Sequence, residues 1–180
     1  MRLKVISFLM LGVFIIGAYG EEIEPVEHLD MEAFSGKWYE IARLPNRHQR
    51  GFEDVTCTFT PEGRGRYSLV TEGYNATRRR RKTRLSGRVT IPDDSQMGAM
   101  QLRVFRFFTV DYNVIKVDTV NYTYALVSGD SKKYMWILSR EPVMDKETFD
   151  SLVNTAQTLG FETDRLEMVP QVSNASIAGR

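Results

Sequence analysis

Cys57 is the single cysteine of the chain, and His28 and His48 are its only histidines. A reactive thiolate needs a cation, a base or a helix N-terminus beside it. Zinc and haem need ligands at short, characteristic spacings. None of the three residues has such a neighbour in sequence, so neither a metal nor another cofactor is expected. One cysteine also allows no intramolecular disulfide, so packing has to supply the stability. Trp38 follows Gly36 by two residues, and Arg140 closes the apolar run Trp136-Ile137-Leu138-Ser139. An arginine laid over an indole contributes about 0.5–2 kcal/mol as a cation–π pair, which is a packing role. The run Arg78-Arg79-Arg80-Arg81-Lys82 has two readings. It is a solvated hairpin, or it is a peripheral contact for anionic lipid headgroups, where each basic residue adds about 1 kcal/mol.

Positioning these residues falls to a series of short strands. From Gly36 onward, turn residues such as Pro61-Glu62-Gly63, Pro92-Asp93-Asp94 and Gly129-Asp130-Ser131 break the chain every eight to twelve positions. Eight runs result, at residues 37–43, 54–60, 66–74, 83–91, 100–107, 112–117, 122–128 and 133–140. Short connections favour consecutive antiparallel hairpins, and an eight-stranded meander closed into an up-and-down barrel leaves no exposed edge. After Pro142, Asp145 can cap a helix whose stripe Phe149, Leu152, Val153, Ala156 and Leu159 would pack on the outer wall, with Gly160 as its stop. Residues 165–169 read as one more short strand, and Asp30 can cap a helical turn over residues 29–34. The fold class is therefore all-β, an eight-stranded antiparallel barrel with one C-terminal helix outside.

The N-terminus has another character. Arg2 and Lys4 precede an uncharged apolar run from Val5 to Ala18, and Ala18-Tyr19-Gly20 offers small residues where a signal peptidase reads. The expected organisation is a signal peptide over 1–20, one domain over 21–172 and a flexible tail over 173–180. The apolar run is not followed by a cysteine, so a periplasmic or extracellular protein without a lipid anchor is expected. Removal of Arg2 and Lys4 leaves the acidic residues in excess by one, which disfavours nucleic acid as a partner. A monomer or weak homodimer is expected, with Phe105, Phe107 and Phe108 as a candidate exposed apolar patch.

Alternation along each strand selects the residues that face the barrel interior. It points Val55, Cys57 and Phe59 inward from the second strand, and Tyr67, Leu69, Thr71 and Gly73 from the third. Leu85, Gly87 and Val89 follow in the fourth. The fifth is ambiguous in phase, and Met100, Leu102, Val104 and Arg106 are taken as inward. Tyr112 and Val114, with Lys116 deeper, come from the sixth, Tyr124 and Leu126 from the seventh, and Tyr134, Trp136 and Leu138 from the eighth. An apolar, aromatic lining with few polar groups suits a small-molecule pocket. A barrel of this size can instead be filled by its own side chains. The small inward residues Cys57, Thr71, Gly73 and Gly87 favour an open pocket.

The segment Gly36-Lys37-Trp38-Tyr39-Glu40-Ile41-Ala42-Arg43 resembles the opening strand of the lipocalins, whose signature is Gly-x-Trp. Tyr122 to Val127 and Trp136 to Arg140, followed by Pro142, resemble later strands of that family in the right order. The resemblance is strongest to bacterial and apolipoprotein D-like lipocalins. It implies a cup closed at one end by Gly36, Trp38 and Arg140, with the segment 44–52 as a lid at the other. It also implies a carrier or store of a small hydrophobic ligand, with fatty acid or lysophospholipid leading and bilins, retinoids and steroids open. The alternative within the same fold is an isomerase like prostaglandin D synthase, with Cys57 as its pocket thiol.

Overall fold

The computed structural model describes residues 23–78, 81–104 and 108–172. The expected signal peptide, Arg79, Arg80, Phe105, Arg106, Phe107 and the tail over 173–180 lie outside these residues. Eight antiparallel strands form a closed barrel: β1 (Gly36–Arg43), β2 (Phe52–Gly63), β3 (Arg66–Asn75), β4 (Arg81–Thr90), β5 (Ala99–Val104), β6 (Phe108–Val117), β7 (Tyr124–Ser128) and β8 (Met135–Ser139). Each pairs with the next, and β1 closes the ring against both β8 and β2. A two-residue strand β9 (Glu167–Met168) adds outside the ring to β1 at Ala42 and Arg43.

The helix α1 (Met31–Phe34) crosses one end of the barrel, with the Asp30 side chain accepting from the amides of Glu32 and Ala33. The helix α2 (Lys146–Thr158) starts at Asp145, whose carboxylate accepts from the Thr148 amide at 2.8 Å. Gly160, at φ +82°, turns the chain back after it, a conformation that costs glycine little. Leu152 and Ala156 seal against Ile41, Ala42, Leu126, Met135 and Ile137 on the outer wall.

The packing outside the barrel corrects three inward assignments, those of Leu126, Tyr124 and Lys116. Leu126 belongs to the cluster beneath α2, while Ala125 and Val127 face the interior. Tyr124 shares the outward face. Both faces of β7 are buried, so its apolar run carries no alternation to read. Lys116 is likewise outside, donating to Thr155 Oγ1 of α2 at 3.0 Å. A bulge between Val114 and Lys116 turns Ile115 and Lys116 to the same side and restores Val117 to the core.

Candidate ligand-binding site

The closed end is built around Trp38, which is fully buried. Its indole N–H donates to the Phe34 carbonyl at 2.8 Å, and the Phe34 ring tilts against it at 5.0 Å. The Arg140 guanidinium lies over the indole, 3.7 Å from its centroid. It donates to three backbone carbonyls, those of Tyr122 (3.1 Å), Lys37 (2.9 Å) and Ala33 (2.6 Å). One side chain thus joins the β7 approach, β1 and α1. Gly36 has φ +94°, and a β-carbon there would come within 3.4 Å of the guanidinium.

Above this floor the lower barrel is filled by its own side chains. Phe59, Leu69, Val89, Met100 and Leu138 are each at most 2% exposed, and Leu102 is 8% exposed. Aromatic contacts climb from Phe34 to Phe59 at 5.0 Å, then to Tyr112 at 5.6 Å and Trp136 at 6.4 Å. Gly73 and Gly87 do not leave the room expected of them. A β-carbon on Gly73 would meet Val55 at 2.9 Å and Phe52 at 3.3 Å, and one on Gly87 would meet Leu102 at 2.6 Å. Their missing side chains are the space into which those neighbours already pack.

A polar layer lies next. Glu40 and Arg43 are buried and ion-paired at 2.8 Å. A bulge in β1 turns Ile41 and Ala42 together outward, so Glu40 and Arg43 register against Leu138 and Trp136, both interior. Gln49, from the loop over residues 44–51, reaches this pair. Its amide donates to Glu40 Oε2 at 2.8 Å, and its side-chain oxygen accepts from Trp136 Nε1 at 2.8 Å and Asn46 Nδ2 at 2.9 Å. Arg43 also donates to the backbone carbonyls of Gln49 and Phe52. Burial pushes the Glu40 carboxyl above its ordinary value, and the attraction of Arg43 only partly offsets this. Alternation from Trp38 carried the signal for Glu40, a charged residue on the interior face.

Cys57 lies beside this layer, and Thr71 Oγ1 at 3.5 Å is its hydrogen-bond partner. Burial, reinforced by the Glu40 charge, pushes the thiol up to about 12. It is protonated at neutral pH and a poor nucleophile.

The mouth is open on the β4–β6 side. Opposed residues of an antiparallel pair share a face, so Val104 with Phe108 and Leu102 with Val110 turn toward the interior. Yet Phe108 is 67% exposed, Val110 44% and Leu85 39%, with Val104 and Thr71 half-buried. Tyr134 stacks on Trp136 at 6.3 Å on the opposite wall. Interior-facing apolar surface is therefore left uncovered at one end, above a packed floor. Val110 was missed in the sequence because the sixth run was read from residue 112, whereas β6 already begins at Phe108. Among the described residues, no cluster of histidine, cysteine and carboxylates is arranged to hold a metal.

The chain is 31% identical over 171 residues to the outer membrane lipoprotein Blc of Vibrio cholerae, covering 94% of this chain and 99% of that one. It is 30% identical over 157 residues to temperature-induced lipocalin-1 of Arabidopsis thaliana, covering 84% of each. Insecticyanin of the tobacco hornworm Manduca sexta shares the fold, with a TM-score of 0.66 at 22% identity, covering 84% of this chain and 85% of that one. The family model for a lipocalin-like domain matches residues 29–171, so a closed eight-stranded barrel, a capping Trp38 and a trailing helix belong here to a member of the lipocalin family.

Proposed function

We propose that this lipocalin is exported and carries one small hydrophobic molecule, a fatty acid or lysophospholipid, at the open half of its barrel. The supporting observation is the uncovered interior-facing surface of Leu85, Val104, Phe108 and Val110 over a floor with no room left. The acyl chain lies against Val104, Thr71, Tyr112 and Trp136, and the head remains at the mouth. Leu69, Phe59 and Val114 act as packing beneath the ligand, since each is at most 2% exposed. The expected Leu126 contact is withdrawn with its inward phase.

The relative from Vibrio cholerae is named an outer membrane lipoprotein. In this chain the apolar run from Val5 to Ala18 leads into Tyr19-Gly20-Glu21 with no cysteine to acylate. Release as a mature chain beginning near Glu21 is the form proposed. The protein acts as a binder and not as an enzyme. An isomerase using Cys57 would need its thiolate, which burial opposes.

A fluorescent fatty-acid probe tests the reading. It should bind in one-to-one ratio and be displaced by lysophospholipid. Val104→Arg places a charge on the half-buried lining and should abolish binding while the melting transition persists. Undiminished probe affinity in the folded variant would place the ligand elsewhere.

A further inference from the structure

We infer that the mouth end of β3, β4 and β6 is a docking surface for an anionic lipid bilayer, from which the ligand enters or to which it returns. The inference rests on the proposed ligand site, because it assigns the surface that this site faces. The β3–β4 ladder runs on past Gly87 to Asn75 opposite Arg81, with β2 beside it as far as Phe52 opposite Asn75.

The mouth end of this hairpin and β6 present two chemically different sets of side chains. Toward the interior they present Leu85, Val110 and Phe108, the last two-thirds exposed. On the outer face stand Lys82 and Arg84, both exposed, and Glu72 pairs with each at 3.2 Å, while the exposed Arg81, in phase with Leu85, lies at the hairpin's end. Lower on the wall, Arg88 and Arg103 face each other directly across β4 and β5, in one row with Ser68 and Thr109. Like charges placed opposite each other destabilise a sheet. Neither arginine makes an ion pair among the described residues, although both are exposed. The carboxylates on the strands to either side are Glu72 of β3, which pairs with Lys82 and Arg84, and Asp111 of β6, in register with Gln101.

A fold gains nothing from an exposed phenylalanine or from two arginines opposed across a ladder. A surface carrying phosphates above hydrocarbon satisfies both at once. The phosphates meet Lys82, Arg84, Arg88 and Arg103 along the outer face, while Phe108 and Leu85 meet the acyl chains at the rim of the interior. Such a pose directs the open side of the barrel at the acyl chains, so a lipid passes between bilayer and cup without crossing water. Free phosphate would answer only the arginines.

Sedimentation with vesicles tests this in the full mature chain. Vesicles of equal parts phosphatidylcholine and phosphatidylglycerol should bring the protein down at low salt, and vesicles of phosphatidylcholine alone should not. The triple substitution Arg81→Ser, Lys82→Ser and Arg84→Ser should weaken partitioning by more than roughly tenfold, given what each basic residue adds near an anionic surface. Its near-ultraviolet circular dichroism and its probe binding in solution should match the wild type. Phe108→Trp should add emission that brominated acyl chains quench on anionic vesicles. Equal sedimentation with both vesicle types, or a folded triple variant that sediments as wild type, would overturn the docking surface. Loss of probe binding in the wild type would instead sink the ligand reading beneath it.

Discussion

Arg140→Ala removes a single side chain that both covers Trp38 and joins three segments of the closed end. The stacked cation contributes about 0.5–2 kcal/mol. A hydrogen bond from a charged donor contributes about 1.5–3 kcal/mol when water cannot replace it. Here the accepting carbonyls of Lys37 and Ala33 border solvent, so water takes over part of each bond in the variant. Allowing for that, and for contacts that do not add, the loss comes to about 3 kcal/mol. In a domain of this size it should lower the melting temperature by about 6–12 °C. The urea midpoint should fall by about 1–2 M. Arg140→Lys keeps the charge but cannot cover the indole and reach three carbonyls together, so it should recover less than half of the loss. Probe affinity should be unchanged, because the closed end lies opposite the mouth. A melting temperature within about 2 °C of wild type would refute the closing role, and full rescue by lysine would reduce it to charge alone.

Cys57 should react slowly with a neutral-pH thiol reagent, and Cys57→Ser should retain most probe affinity. Rapid labelling with turnover that vanishes in the serine variant would favour an enzyme. Glu40 gives a pH test whose sign follows from its raised carboxyl. The folded state holds that proton more tightly than the unfolded chain, so the contribution of the site is complete below the ordinary value of 4.5. It is lost as the pH rises through the folded value. Since Glu40→Gln mimics the protonated form, the stability of wild type relative to this variant should fall from pH 4.5 toward neutrality. A difference that grows with pH would mean the Arg43 pair outweighs burial.

The barrel was legible because period-two alternation and turn residues mark most of its strands independently. β2, β3 and β4 each have one interior face and one solvated face, so Cys57, Leu69 and Val89 could be assigned from pattern alone. β7 has no solvated face, because α2 covers its outside, and there the pattern failed. Bulges were the second source of error. One extra residue in β6 sent Lys116 to α2, and another in β1 brought Arg43 inside beside Glu40. Nothing local in the sequence marks either bulge. The glycines misled for a third reason. Gly73 and Gly87 are small because Val55 and Leu102 already occupy the space beside them. A small residue shows that something approaches closely, and whether that is a ligand or a neighbouring side chain depends on the adjoining strand.

The polar layer of Glu40, Arg43 and Gln49 connects the core to the mouth. Replacing a buried ion pair with apolar residues is often neutral or stabilising, so the pair is weak evidence for stability. What it does here is hold the 44–51 loop. Gln49 is gripped from Glu40, Trp136 and Asn46 through its side chain and from Arg43 through its carbonyl. Three of those partners belong to the barrel wall, so the loop is set by the interior and not by its own turns. Held there, it covers the β1–β2 and β8 side of the mouth, whereas Leu85, Phe108 and Val110 on the facing side stay uncovered. Apolar entry is therefore directed to the β4–β6 side, beside the exposed cations of the β3–β4 hairpin.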